Sequence, residues 1–240
     1  MNHNNKFQLK VLFWNTRSFL PRKLEVEKII HSYDIFICVE SWLSPKKKDK
    51  ILIPGFVTFR KDRIGSKGGG ILFLINKRLA FYELQNINSP DDSVEICGIK
   101  ITNVSPVINI IACYRVPNTN LSQAQWDLLA ENVVLEDCSI LVGDFNSHST
   151  AWNCKITDNN GTKFERSIDS YNLFLHNANT FTHIDTSRNT KSNLDLVISS
   201  MDVADKISFE VCDETWGSDH YPIFITIESE KFFYRKKSFL

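Results

Sequence analysis

Eleven short runs of β-branched and aromatic residues, spread along almost the whole chain, constrain the fold more than any other feature. They are Leu9–Trp14, Ile35–Val39, Phe56–Phe59, Ile71–Ile75, Leu79–Leu84, Val94–Ile101, Val107–Tyr114, Ile140–Gly143, Leu194–Ile198, Ile207–Val211 and Ile223–Ile227. Runs of this length and content read as strands. Several look apolar on both faces, so something must cover them on both sides. Three helical stretches interrupt them. Val26, Ile29, Ile30 and Tyr33 share one helix face, as do Trp126, Leu129, Ala130 and Val133. Ser122 and Gln125 form a capping box before the second helix. Phe164, Ile168, Tyr171 and Leu175 mark the third, with Thr162 and Glu165 as its expected box. Many strands and few helices predict an α+β fold, two mixed β-sheets packed face to face with helices outside.

The strands end alike. "KVLFWN" ends in Asn15, "DIFICVES" in Glu40, "NIIACYRVPN" in Tyr114 and Asn118, and "ILVGDFN" in Asp144 and Asn146. "SNLDLVIS" carries Asp195, and "WGSDHYPIFITI" opens its strand with Asp219 and His220. Each residue alone reads as a turn or a solvated strand end. Asp195 is the exception, because it interrupts an apolar run and needs a partner if buried. If the ends meet at one rim, they form a pocket of carboxylates, amides and one imidazole. Such a pocket suits phosphodiester cleavage with one hard metal ion. Glu40 offers a carboxylate oxygen to Mg²⁺. Asp195 can fix the tautomer of His220. Asn146 and Tyr114 can donate hydrogen bonds to developing phosphate charge.

Composition narrows the class. The 28 Lys and Arg balance 28 Asp and Glu, so no global field draws in a polyanion and a local patch must do so. Six cysteines form no C-x-x-C pair, and three sit inside apolar runs, as reduced buried thiols do. The polar start "MNHNNKFQLK" carries no secretory signal, and no apolar run reaches transmembrane length. An intracellular location with no membrane partner is the expectation.

The ordered set "WN", "VES", "CYRVPN", "GDFN", "SNLDLVIS" and "GSDH" resembles the endonuclease/exonuclease/phosphatase superfamily. Within it, "SWLSP", "IPGFVTFRKDRIGSKGGGILFLI" and "GDFNSHSTAWNC" are similar to the apurinic-type endonuclease domain of non-LTR retrotransposons. The resemblance runs from about Leu9 to Ile227. It implies a four-layered α/β sandwich over residues 7–229, between a flexible N-terminus at 1–6 and a tail or linker at 230–240. It also implies Mg²⁺-dependent nicking of double-stranded DNA, with Mn²⁺ as substitute. The nick would leave a 3′-hydroxyl for target-primed reverse transcription, in the nucleus, with a reverse transcriptase as partner in the full-length element.

By the same resemblance Glu40 binds the metal, with Asn15 and Asp219 beside it. Asp144 positions or deprotonates the attacking water. Asn146 and Tyr114 hold the scissile phosphate, and His220, oriented by Asp195, contacts it or acts as base. The resemblance leaves the choice of base open between Asp144 and His220, and it leaves the oligomeric state open. "CYRVPN" has an extra residue before Pro117, which moves Asn118 relative to the phosphate. His148 reads as a structural or DNA-facing loop residue. Arg60 and Arg63, in "RKDRIGSK", are the expected DNA contacts, and Lys46, Lys47 and Lys48 form a second basic run. Arg188 sits at the tip of an expected hairpin, Thr186 to Thr190, beside the scissile phosphate. Two further readings are a lipid or inositol phosphate phosphodiesterase of the same fold and a decayed DNA-binding module.

Overall fold

The computed structural model describes residues 6–45, 51–65 and 67–231. The lysine run at 46–48 and Ser66 lie outside the described residues, as do residues 1–5 and 232–240. One sheet pairs β14 (Ile207–Val211), β15 (Ile223–Lys231), β1 (Lys6–Asn15), β2 (Ile35–Val39), β4 (Ile71–Asn76) and β3 (Phe56–Lys61), in that order. A short β7 (Val104–Ser105) adds to β15. The second sheet runs β10 (Phe174–Leu175), β13 (Asp195–Ser199), β9 (Ser139–Asp144), β8 (Ile108–Arg115), β6 (Val94–Ile101) and β5 (Phe81–Glu83). A separate hairpin joins β11 (His183–Asp185) to β12 (Thr190–Ser192).

Strand alternation explains the layers. Leu9, Val11 and Phe13 of β1 face inward, with Ile35, Ile37 and Val39 of β2. They meet Ile108, Ile110 and Ala112 of β8, Ile140 and Val142 of β9 and Val197 of β13 in one core between the sheets. The alternate residues face outward. Leu12, Trp14, Phe36 and Cys38 pack with Val26 and Ile30 from the first helical layer. Ile111, Cys113, Leu141 and Leu196 pack with Trp126, Leu129, Val133 and Phe164 from the other. Period-2 strands apolar on both faces thus sit in the middle of a helix–sheet–sheet–helix sandwich, the four layers expected. No helix among the described residues is long and apolar enough to cross a membrane. Cys38, Cys97, Cys113, Cys138 and Cys154 are buried free thiols.

Each sheet holds one parallel pair at its centre, β1 with β2 and β8 with β9. A parallel pair needs a crossover, and these use α1 (Lys23–Ile29) and α2 (Gln123–Val134). The Ser122–Gln125 capping box of α2 is present in both directions. The third helix departs from expectation. α3 spans Asn159–Ser170, and its cap is Asp158, whose side chain accepts from Gly161 N, rather than Thr162. Glu165 accepts instead from Ser149 Oγ at 2.9 Å. Tyr171 ends the helix and Leu175 passes into β10. The apolar periodicity of Phe164 and Ile168 predicts one turn more than forms, because Leu175 packs on the same outer cluster from a strand. The first helix also tightens after Ile29 into a 3₁₀ turn, Ile30–Ser32, and Tyr33 is already extended.

Candidate active site

The same strand phase that builds the inner core continues past its polar end. Asn15 follows Phe13, Tyr114 follows Ala112, Asp144 follows Val142, and Asp195 precedes Val197, each two residues from an inward-facing neighbour. Register sets them side by side, with Asp144 opposite both Tyr114 and Asp195. The C-terminal ends of both parallel pairs therefore open on one rim where the sheets part. Glu40 leaves β2 with φ +50, a left-handed conformation that turns its carboxylate into this rim. Arg17 (φ +44) and Asn146 (φ +46) adopt the same region beside it. Left-handed non-glycine residues cost about 1–3 kcal/mol each and persist where the surroundings impose them, often at functional sites.

One amide joins the sheets. Asn15 Nδ2 donates to Glu40 Oε1 at 3.1 Å and to Asp144 Oδ2 at 2.9 Å, and lies 3.5 Å from His220 Nε2. The Tyr114 hydroxyl lies beside Glu40, whose charge adds to burial in raising its pKa. Trp42 Nε1 donates to Glu40 Oε2 at 3.1 Å. His220 Nδ1 stands 2.7 Å from Asp195 Oδ2, and its Nε2 faces Asp144 Oδ2 at 3.8 Å. Asn146 N donates to Asp144 Oδ1 at 3.0 Å, and Asn146 Nδ2 to the Arg115 carbonyl at 2.8 Å. The "GSDH" turn is bolted to β1, since Trp14 Nε1 donates to His220 O and Ser218 Oγ to Asn15 O.

The charges perturb one another strongly. Burial, then the Asp195 and Glu40 carboxylates, push Asp144 above the usual carboxylate range, while His220 pulls it back. Burial disfavours the His220 cation, yet Asp195, Asp144 and Asp219 outweigh it and raise the imidazole to about 10. Burial, then Glu40 and Asp144, raise the Tyr114 phenol and keep it a hydrogen-bond donor. Burial would raise Asp219, but His183, His220 and Arg17 hold it at about 2. Asp144, Asp195 and Asp219 thus face His220, Asp219 also meets Arg17, and Asp195 Oδ1 is buried without a partner among the described residues. An oxygen-rich, carboxylate-heavy donor set fits a hard dication.

Of the residues expected at the site, Asn15, Glu40, Tyr114, Asp144, Asn146, Asp195, Asp219 and His220 come together. The four expected DNA contacts do not join them. Arg60 pairs with Asp62 at 3.2 Å. Arg63 turns inward, with Nε 2.6 Å from Glu95 Oε1 and its guanidinium 5.5 Å from the Tyr114 ring centre. Asn118 lies in the exposed turn after β8. Arg188 is 82% exposed at the tip of the β11–β12 hairpin, 3.8 Å from Asp185. The backbone and ring of His148 both meet the α3 cap Asp158 at 3.3 Å.

Three residues at the rim escaped the sequence reading. Arg17 NH1 pairs with Asp219 Oδ2 at 2.6 Å. His183 Nε2 lies 3.7 Å from the same carboxylate oxygen, its ring 4.7 Å from that of His220. Arg115 is a buried cation beneath the "GDFN" loop. It donates to the carbonyls of Phe145, Asn146 and Thr119 and lies over the Trp126 ring. Burial lowers its pKa from the ordinary guanidinium value. A charge directly after the apolar run "NIIACY" was the available signal for Arg115. Arg17, two residues past Asn15, gave a weaker one.

A family described as "Endonuclease-reverse transcriptase" matches residues 108–224. No curated protein matches the chain. Among solved structures, the endonuclease domain of TRAS1, a telomere-specific non-LTR retrotransposon, superposes with TM-score 0.75 at 18% identity, covering 92% of this chain and 98% of that one. An AP endonuclease, LMAP from Leishmania major, gives 0.71 at 13% identity, covering 92% and 87%. The 3′-5′ exonuclease NExo from Neisseria meningitidis gives 0.69 at 17%, covering 91% and 99%. At these identities the likeness is one of fold.

Proposed function

We propose that this chain, which has the endonuclease/exonuclease/phosphatase fold and matches the endonuclease-reverse transcriptase family over residues 108–224, is a Mg²⁺-dependent endonuclease that nicks double-stranded DNA. The observation that carries the reading is the Asn15 amide shared by Glu40 and Asp144 beside the Asp195–His220 pair. It gathers metal-type, water-handling and phosphate-type groups from both sheets at one rim. Glu40 would hold the dication, with Asn15 and Asp219 beside it. When bound, such an ion supplies charge neutralisation and polarises a phosphoryl oxygen.

The chain's own residues divide the remaining work. Tyr114, kept protonated, and Asn146 donate to the phosphate oxygens as charge develops there. Asp144, with a raised proton affinity and its Oδ1 held by Asn146 N, orients the water and takes its proton. His220, held as a cation by Asp195, presents Nε2–H to the phosphate. Asp195 orients that ring and is itself a positioning residue. Arg115 holds the "GDFN" turn from behind. The product would be a 3′-hydroxyl that a reverse transcriptase partner extends at a chromosomal target.

Supercoiled plasmid offered with Mg²⁺, and separately with EDTA, tests this. Relaxed circles in Mg²⁺ alone are the expected result. Intact plasmid together with turnover of an inositol phosphate would move the substrate to the phosphatase branch of the fold. Binding to the plasmid with no cleavage of either substrate would leave a decayed DNA-binding module.

A further inference from the structure

We infer that His183, Asp219 and His220 form a site for a borderline transition-metal dication of the Zn²⁺ class, and that its occupation silences the rim. The silencing rests on the function proposed above, whereas the binding does not.

The three side chains come from two segments that the backbone locks together. His183 and His220 form a β-bridge. Ile184 N donates to Asp219 O at 2.9 Å, and Tyr221 N to Thr182 O at 2.7 Å. One donor atom from each side chain lies within 4.8 Å of the others. His183 Nε2 is 3.7 Å from Asp219 Oδ2, and His220 Nε2 is 4.0 Å from Asp219 Oδ1. Around tetrahedral zinc, with bonds of about 2.0–2.1 Å, donors stand roughly 3.3 Å apart. The two contacts use different Asp219 oxygens, so bringing one donor from each side chain from within 4.8 Å to that spacing takes a closure of up to about 1.5 Å, which would complete three ligands and leave a fourth position open.

The chemistry separates this group from the oxygen-rich one at Glu40. Two imidazoles and one carboxylate are a zinc-type set, whereas Mg²⁺ prefers oxygen and keeps its waters. A histidine that ligates through one nitrogen nearly always donates its other N–H to a carboxylate, a backbone carbonyl or water. His220 has that arrangement already, with Nδ1 2.7 Å from Asp195 Oδ2. The way in is open, since the His183 and Asp219 side chains are 19% and 24% exposed. Two competitors are present, the proton on His220 Nε2 and the Arg17 guanidinium. Arg17, 52% exposed, sits on Asp219 at 2.6 Å and must swing into solvent when the ion enters. A dication here replaces the proton on His220 Nε2, the atom that faces Asp144 and Asn15.

The test is a Zn²⁺ titration of the whole chain against a chromogenic chelator in excess Mg²⁺, with the wild type, His183→Ala, His183→Gln and Arg17→Met. Removing an outer partner of a metal site already costs about 10–100-fold in affinity, so losing a ligand should cost at least that. One ion per chain is expected. Both His183 variants should bind it at least about tenfold more weakly, and Arg17→Met more tightly. Co²⁺ should show ligand-field bands without a thiolate charge-transfer band, which sets the site apart from the cysteines. In the nicking assay, Zn²⁺ should inhibit the wild type, and each His183 variant should need correspondingly more, judged against its own rate in Mg²⁺ alone. Equal Zn²⁺ affinity in the wild type and both folded His183 variants would overturn the site. If no variant nicks DNA, the chelator titration still decides the binding, and only the proposed function falls.

Discussion

At the scale of single residues, the site works by sharing. One Asn15 nitrogen serves two carboxylates, and one imidazole faces Asp195, Asp144 and Asp219. Glu40→Gln keeps the shape and leaves an oxygen for Asn15 or Trp42, but removes the charge a hard cation needs. Nicking should fall about 100-fold or more, equivalent to ~3 kcal/mol of lost transition-state stabilisation, while the melting temperature stays within a few degrees. Full activity of the Gln variant at low Mg²⁺ would remove Glu40 from the metal role. Asp195 and His220 should behave as one unit, so their losses should not add. In a double-mutant cycle the double Ala variant should be barely slower than His220→Ala, and additive losses would mean the two act separately. Arg115→Met should destabilise the fold by about 3 kcal/mol, because the buried carbonyl of Phe145 and the part-buried ones of Asn146 and Thr119 lose their donor. Denaturant unfolding measures this, and an unchanged midpoint would show that water replaces the guanidinium. Most of the rim was legible at this scale, since Asn15, Tyr114, Asp144 and Asp195 all fall in phase with the apolar residues before or after them. The Arg17–Asp219 pair was not, because its partners are 202 positions apart and neither interrupts an apolar run.

At the scale of elements, the strands were readable because their content is uniform, and the boundaries that failed were set by tertiary contact. α3 is capped at Asp158 because the loop before it meets His148, with Asp158 N donating to His148 O at 2.9 Å. Gly161 lies so close to the His148 carbonyl oxygen that an added Cβ would overlap it. Gly161→Ala should therefore cost about 1–3 kcal/mol by forced displacement of that loop. A neutral effect in thermal unfolding would show that the loop can yield. The β11–β12 hairpin was legible from its turn-prone tip. Asp185 Oδ1 closes it by accepting from Ser187 N, Ser187 Oγ and Arg188 N. The fastening of its base to the His220 turn could not be read from local sequence. That base is rigid and the tip projects, so replacing residues 186–190 by Gly and Ser should redistribute nicks along a long duplex. The total rate on plasmid should fall only moderately. Sequencing the nick positions decides this, and an unchanged spectrum would leave target choice to other surfaces.

At the scale of the whole molecule, zero net charge leaves affinity to a local footprint. The sequence places that footprint on Arg60 and Arg63; in the fold Arg60 pairs with Asp62, and Arg63 reaches Glu95 and the Tyr114 ring. Binding should still weaken with salt by a slope of roughly −0.9 per phosphate neutralised, and Arg188→Ala should flatten it by about one contact. Arg63→Ala should instead leave the slope nearly unchanged and slow turnover. The central claim is that both sheets deliver one hydrolytic centre that opens DNA and leaves an extendable end. Its most direct measurement is to nick supercoiled plasmid in Mg²⁺ and then offer the purified product to a DNA polymerase with labelled nucleotides and no further treatment. Label should enter at the nicks made by the wild type, with almost no nicks made by Glu40→Gln or His220→Ala. Nicks that take up label only after a 3′-phosphatase has acted, or nicks made equally well by both variants, would contradict it.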